Sequence, residues 1–392
     1  MNKIMKTKYK FNNDIIVFSH LRWEFVFQRP QHLLTRLSKN RRIIFIEEPI
    51  EFNNENKGDT KVIQHENITI LQPRISRENL IEEVESIIKE YSQLLNLHNP
   101  IFWFYSPEFV NIIHKIPSFY IVYDCMDQLT AFKGASSKLL AQEQDLLRFA
   151  DIVFTGGKSL YEEKKKYNEN TYCFPSSVAR EHFEKANNIL TQIPSDIKKL
   201  KKPIVGYYGV IDERIDFKLI KKTAQLMPNV SFVMIGPIVK ISNEDLALNK
   251  NIYYLGAKSY NELPNYLKKI DVAMMPFALN KSTRFISPTK TLEYMAAGKP
   301  IISTRIKDVE RDYSSIIDII ITENDFVNSI QKYLTESTNQ AKKRLTLYNK
   351  VLNNTSWDKT SVSMLDIISE KLDVQNYTNS LEKIIVYKQN WN

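Results

Sequence analysis

The chain has 392 residues, enough for two or three domains with substantial cores, and its composition (43% hydrophobic, 25% charged) is that of an ordinary globular protein rather than a disordered one. Lys and Arg exceed Asp and Glu by 54 to 45, and this net charge of +9 points to an acidic partner: anionic lipid, a phosphorylated substrate or nucleic acid, the last without any nucleic-acid-binding module pattern to support it. Cys125 and Cys173, the only cysteines, sit in apolar strand-like runs, and six scattered histidines add no ligand spacing, so neither a disulfide framework nor a metal site is expected and a reducing compartment is favoured.

The basic start "MNKIMKTKYK" leads into "DIIVFS" (14–19), too short for the apolar core of a signal peptide, and no run approaches transmembrane length. A cytoplasmic protein is expected. β-rich runs recur at "RIIFIE" (42–47), "IFWFY" (101–105), "FYIVYD" (119–124) and "DIVFT" (151–155), separated by segments of helical periodicity such as "RPQHLLTRLSKN" and "SSKLLAQEQDLLRFA". Such alternation predicts a parallel sheet. The lysine-rich "EKANNILTQIPSDIKKLKK" (184–202) lacks strand runs and reads as a linker after a first domain of residues 1–183.

A second series follows: "PIVGYYG" (203–209), "VSFVMIG" (230–236), "NIYYLG" (251–256), "DVAMMPF" (271–277), "PIIST" (300–304) and "IDIIIT" (317–322). The chain therefore reads as α/β, with two Rossmann-like doubly wound domains facing a central cleft. The second domain spans 203–356, and a helical segment at 357–392 is expected to pack back toward the first. Within "ISPTKTLEYMAAGKPIIST" (286–304), Ser287 suits an N-cap and Pro288 the first helical position. Thr289, Lys290 and Thr291 then fall in a first turn whose free N–H groups suit an anion, and Gly298 ends the helix before a short strand.

These stretches carry a family resemblance. "WEFVFQRPQHLLTRLSK", "YDCMDQLTAF" and "ADIVFTGGKSLYEEK" in the first half, with "GYYGVIDERID", "YLGAKSYNELPNYL" and "RFISPTKTLEYMAAGKPIIST" in the second, resemble sugar-nucleotide glycosyltransferases of the GT-B fold, in particular bacterial envelope-polysaccharide transferases of the teichuronic acid type. The resemblance implies transfer of a sugar from a nucleoside diphosphate sugar, uridine-linked, to an envelope glycan or a lipid-linked acceptor, with no further cofactor. Retention of configuration is implied by the family alone. Two alternatives share the fold: a sugar-nucleotide 2-epimerase, which acts without acceptor, and a non-catalytic sugar-nucleotide-binding protein. Neither half has a G-x-G-x-x-G after its first strand, which disfavours dinucleotide chemistry.

Carried over residue by residue, the resemblance gives Lys290, beside Ser287, Pro288, Thr289 and Thr291, the donor diphosphate, and gives Glu293 the ribose hydroxyls, which a carboxylate can accept in pairs. Gly209 allows backbone to approach phosphate, and Arg214 is the basic residue expected to reach it, Val210 standing where the family commonly has arginine. Gly256, Ala257 and Lys258 match a loop that binds the base through backbone groups. Phe285 replaces the glutamate that many retaining members carry eight positions before the ribose glutamate, leaving Arg284 beside it for sugar hydroxyls. On the acceptor side stand His20, Glu24, Arg29 and Asp124, with Asp127 preferred as the group that orients or deprotonates the acceptor hydroxyl. Arg29 is expected to meet phosphate or to pair with a carboxylate such as Glu47, and two of Trp23, Phe25 and Phe27 are expected in the core. The basic segments "KIMKTKYK", "RLSKNRR" and "KKLKK" suggest a peripheral protein whose first domain docks on an anionic membrane surface.

Overall fold

Nine strands make the first sheet of the computed structural model, which describes residues 13–51, 59–75, 77–97, 99–118 and 120–372. They are β1 (Ile15–Phe18), β2 (Ile43–Ile46), β3 (Ile50–Glu51), β4 (Asp59–His65), β5 (Ile68–Ile75), β6 (Ile101–Phe104), β7 (Tyr120–Cys125), β8 (Ile152–Thr155) and β9 (Thr171–Cys173). Their order is β3-β5-β2-β1-β6-β7-β8-β9, all parallel, with β4 added antiparallel to β5. Strand alternation splits the core in two: Ile15 and Val17 face one side, Ile16 and Phe18 the other. Leu33, Leu34 and Leu37 of the Arg29–Leu37 helix cover the first side, and Val84, Ile87, Leu146 and Leu147 cover the second.

The second sheet comprises β10 (Ile204–Tyr208), β11 (Ser231–Ile235), β12 (Ile252–Tyr254), β13 (Val272–Met275), β14 (Ile301–Thr304) and β15 (Asp318–Ile320), all parallel in the order β12-β11-β10-β13-β14-β15. The order reverses at β10/β13 here and at β1/β6 in the first sheet. Such switch points open a crevice at the strands' carboxyl ends, where α/β sheets take ligands. A helix at 357–372 returns to the first domain, burying Trp357, Met364, Leu365, Ile368 and Leu372 against β1, β2 and β6. Residues 373–392 of the C-terminal segment, like "KIMKTKYK", lie outside the described residues.

Three local features depart from the sequence pattern. Residues 184–202 are not a free linker, because Ala186 and Ile197, with Phe183 just before them, are buried in the second domain's core. The β4–β5 hairpin escaped the sequence reading because β4 is largely exposed and polar, "DTKVIQH", with no apolar run to mark it. The helix expected from Ser287 starts at Lys290, with Thr289 at the N-cap position. The Ser287 carbonyl instead accepts the Ser176 hydroxyl at 2.8 Å, and the Ser287 Cβ packs over Gly157, so residues 287–288 are held against the first domain.

Candidate active site in the cleft

Three glycines end three adjacent strands of the second sheet: Gly209 after β10, Gly236 after β11 and Gly256 after β12. Gly209 and Gly236 adopt φ of +140° and +147°, and a Cβ on Gly236 would lie 1.8 Å from the Gly209 carbonyl oxygen. No other residue fits so close a crossing of two backbones. Above Gly209 lies the Lys290 side chain, its Nζ 5.9 Å from the centre of the Tyr207 ring. Burial lowers the Lys290 pKa, opposed by Glu293 and reinforced by Arg214.

Glu293, three residues on, is only 7% exposed and accepts the Tyr208 hydroxyl at 2.5 Å. Burial raises its pKa while Lys290, Tyr208 and Thr289 oppose the rise. Tyr260 adds a buried hydroxyl without a partner close enough to Glu293 to feel its charge. The helix closes at Gly298, φ +68°, where Gly298 and Lys299 N–H groups bond back to Met295 and Tyr294.

Arg214 is fixed by Asp212, which takes its Nε at 2.9 Å, its Nη2 at 2.7 Å and its backbone N–H at 3.0 Å. Across the cleft the guanidinium carbon stands 5.4 Å from the Phe132 ring centre, and Lys240 Nζ stands 5.5 Å from the same ring. Asp127 projects from the end of β7 into the field of Arg214, Lys290 and Asp212. Burial pushes its carboxyl up to about 6, the two cations holding back a larger rise. His20, at the end of β1, is held down to about 4 by burial, with Glu48 opposing and Lys240 of the other domain adding to the depression. The cleft thus brings His20 and Asp127 of one domain to face Arg214, Lys240 and Lys290 of the other.

Other candidates go elsewhere. Arg29 and Asp124 bind each other, with Arg29 Nε 2.9 Å from one Asp124 oxygen and Nη1 on the Phe174 carbonyl, both side chains buried. Neither is free for phosphate or acceptor. Glu47 takes Arg22 and the Trp23 backbone N–H instead. Thr291 turns into the core and donates to Met275 Sδ, and Lys258 pairs with Asp196 at 2.8 Å. Arg284 lies over Phe285 and lines a separate cavity of about 240 Å³ with Gln128, Glu143 and Lys164. Glu24 is exposed. Gly256 and Ala257 keep an exposed backbone at the β12 end, and the Gly256 carbonyl accepts Gly236 N–H at 2.9 Å. Of the three aromatics only Trp23 is buried, while Phe25 is exposed and Phe27 stacks on Tyr260 of the second domain at 4.5 Å.

Asp212, Gly236, Lys240 and Tyr260 were not singled out from the sequence. The repeated glycine closing "GYYG", "VMIG" and "YYLG" is a signal that would have found Gly236. Among the described residues no group of three His, Cys, Asp or Glu side chains is placed to hold a metal ion.

Residues 202–336 match the family model described as glycosyl transferases group 1. The matched stretch falls on the second domain. Over 246 residues the chain is 25% identical to TuaH of Bacillus subtilis (strain 168), a glycosyltransferase assigned to teichuronic acid biosynthesis; the aligned stretch covers 57% of this chain and only 61% of that protein. Sucrose-phosphate synthase from Thermosynechococcus elongatus superposes with a TM-score of 0.69 at 14% identity, covering 93% of this chain and 100% of that one. An α,α-trehalose-phosphate synthase (UDP-forming) from Burkholderia xenovorans, in complex with glucose-6-phosphate, gives 0.64 at 10% identity, covering 91% and 100%. An E. coli protein of the trehalose-6-phosphate group, bound with UDP-2-fluoro glucose, gives 0.65 at 11%, covering 91% and 99%. Likeness at these identities establishes the fold, two Rossmann-like domains of the GT-B type. The stretch that matches the group 1 model contains Gly209, Lys290 and Glu293.

Proposed function

We propose that the protein is a glycosyltransferase that moves a sugar from a nucleoside diphosphate sugar, uridine-linked, to an envelope glycan or glycolipid acceptor on the cytoplasmic side. The observation that carries the reading is the meeting of Asp127 with Arg214 and Lys290 across the cleft. Two fixed cations above a glycine-lined floor suit a departing diphosphate, whose charge grows as the glycosidic bond breaks. Glu293, buried beside Lys290, suits the ribose hydroxyls. Asp127 at the facing edge suits an acceptor hydroxyl: with its carboxyl near 6 it is ionised at neutral pH yet basic enough to orient or accept the proton.

In this reading the diphosphate needs no metal, because Arg214 is locked in place by Asp212 and costs no reorganisation when charge develops. Calorimetry with UDP, UDP-glucose and uridine tests the donor half, and sugar release with and without a lipid-linked acceptor tests the transfer half. Binding of UDP but not uridine, with turnover that depends on acceptor, is expected. Change of the donor sugar in the absence of acceptor would instead establish epimerase chemistry.

A further inference from the structure

Two adjacent aliphatic side chains stand almost fully in solvent: Ile189 is 89% and Leu190 83% exposed. Their loop is pinned. Lys268 Nζ donates to the carbonyls of Asn188, Ile189 and Thr191 at 2.8, 2.8 and 2.7 Å, Leu190 N–H bonds to Asn188 Oδ1 at 2.9 Å, and the Thr191 hydroxyl reaches the Lys185 carbonyl at 2.6 Å. A rigid turn therefore holds two apolar side chains outward, at the cost of hydrating both.

The same neighbourhood holds unmatched positive charge. The Leu263–Lys269 helix that carries Lys268 packs against both Lys185–Asn187 and Ser195–Lys198, which bracket the loop. Of the nearby carboxylates, Asp196 pairs with Lys258, Glu184 with Arg180 and Asp271 with Lys202, which leaves the exposed Glu181 against four lysines. Lys185, Lys198, Lys199 and Lys201 are exposed and, among the described residues, have no carboxylate partner. The first-domain segment "RLSKNRR" differs: Arg36 is bound to Asp358, Arg42 to Asp14, and Arg41 is buried. Of that segment only Lys39 offers a free charge.

We infer that the Asn188–Thr191 loop is a membrane anchor, with Ile189 and Leu190 entering the headgroup layer of an anionic bilayer and the surrounding lysines holding its surface. Two side chains at a tip are too small for the core of a stable protein interface, whereas shallow insertion beside basic residues matches the way peripheral proteins hold anionic lipid. This anchor is independent of the transfer reaction. Of the three basic segments expected to dock the first domain, it keeps "KKLKK" and places the docking face at the junction with the second domain.

Sedimentation of the full chain with phosphatidylcholine vesicles, with and without phosphatidylglycerol, tests it. Binding requires phosphatidylglycerol and fades with salt, and Ile189→Ser/Leu190→Ser weakens it at least about tenfold while leaving the melting temperature unchanged. Lys198→Glu/Lys199→Glu abolishes the preference for anionic vesicles. In Leu190→Trp, brominated lipid quenches the tip fluorescence if the side chain inserts. Unchanged binding in the double serine variant, or a tryptophan unquenched in bound protein, overturns the inference. So does failure of the wild type to bind vesicles, including the case in which the serine variant changes the oligomeric state and so marks the tip as a contact between copies of the chain.

Discussion

Lys290 rests on Gly209 so closely that a Cβ at position 209 would lie 2.3 Å from its Cε and 2.8 Å from its Nζ. Gly209→Ala therefore meets three obstacles, the φ of +140°, the lysine itself and the Tyr207 hydroxyl 2.8 Å away. We expect a loss of stability of about 1–3 kcal/mol and a comparable loss of UDP affinity as Lys290 is displaced. Lys290→Ala alone should weaken UDP binding by about 1–3 kcal/mol and leave uridine binding unchanged, the usual scale for a charge-assisted hydrogen bond. In the Lys290→Ala background the effect of Gly209→Ala on affinity should nearly vanish. Equal penalties in both backgrounds, measured by calorimetry, would show that the lysine's seat on the glycine does not matter.

Glu293→Gln should lower the preference for ribose over 2′-deoxyribose. The carboxylate has two acceptor oxygens, one already taking the Tyr208 hydroxyl, and the amide keeps a single acceptor oxygen while presenting donors toward Tyr208. Binding of UDP and 2′-deoxy-UDP to both proteins checks this. If the wild type does not discriminate between the two, Glu293 does not hold the ribose.

The fold was legible in the sequence because parallel strands buried on both faces must be apolar throughout, and "IIVF", "IIFI", "IFWF" and "IVFT" are so. A half-exposed hairpin such as β4–β5 lacks that signature. The position of Glu293 next to Lys290 could be read from local spacing, since residues three apart share a helix face. Arg29 and Asp124 could not: they are 95 positions apart, and only the fold shows that each satisfies the other. The same holds for the approach of Asp127 to Arg214, and for the commitment of Lys258 to Asp196. Ser287 does not cap the helix because cap preference is a local signal, and the tertiary bond from Ser176 overrides it.

Asp127 links activity and stability to pH. Its carboxyl, 3.8 ordinarily and about 6 in the fold, binds a proton more tightly in the folded state. The stability it contributes is present below pH 3.8 and is lost as pH rises through about 6. Asp127→Asn should therefore be more stable than the wild type above pH 6, with the difference fading toward pH 4. In the opposite sense, kcat/KM of the wild type should rise as the carboxyl ionises through about pH 6, and the asparagine variant should lose both that limb and most of its turnover. A variant with unchanged pH dependence would remove Asp127 from the reaction.

Asp308 joins the two domains from the second to the first. Buried at 2% exposure, it accepts the Ser159 backbone N–H at 3.1 Å and the Ser159 hydroxyl at 2.5 Å, and it holds Arg311 at 2.7 Å. It thus caps, from the other domain, a first-domain helix (Lys158–Lys164) whose own N-cap is Gly157 and has no side chain to offer. A Cβ on Gly157 would fall 2.6 Å from an Asp308 oxygen, so the glycine is what admits the carboxylate. Asp308→Asn should cost about 1–3 kcal/mol, the scale of a buried hydrogen bond to a charged group. A double-mutant cycle with Ser159→Ala should show positive coupling, because the two share one contact. The exposed pairs beside it, Lys307–Glu162 and Arg311–Glu162, should behave differently, and Glu162→Ala should leave stability nearly unchanged because solvent screens them. Denaturant titration of the three variants, with small-angle scattering to follow domain separation, decides between the buried cap and the surface pairs. If Glu162→Ala destabilises as much as Asp308→Asn, the surface pairs rather than the buried carboxylate hold the domains together.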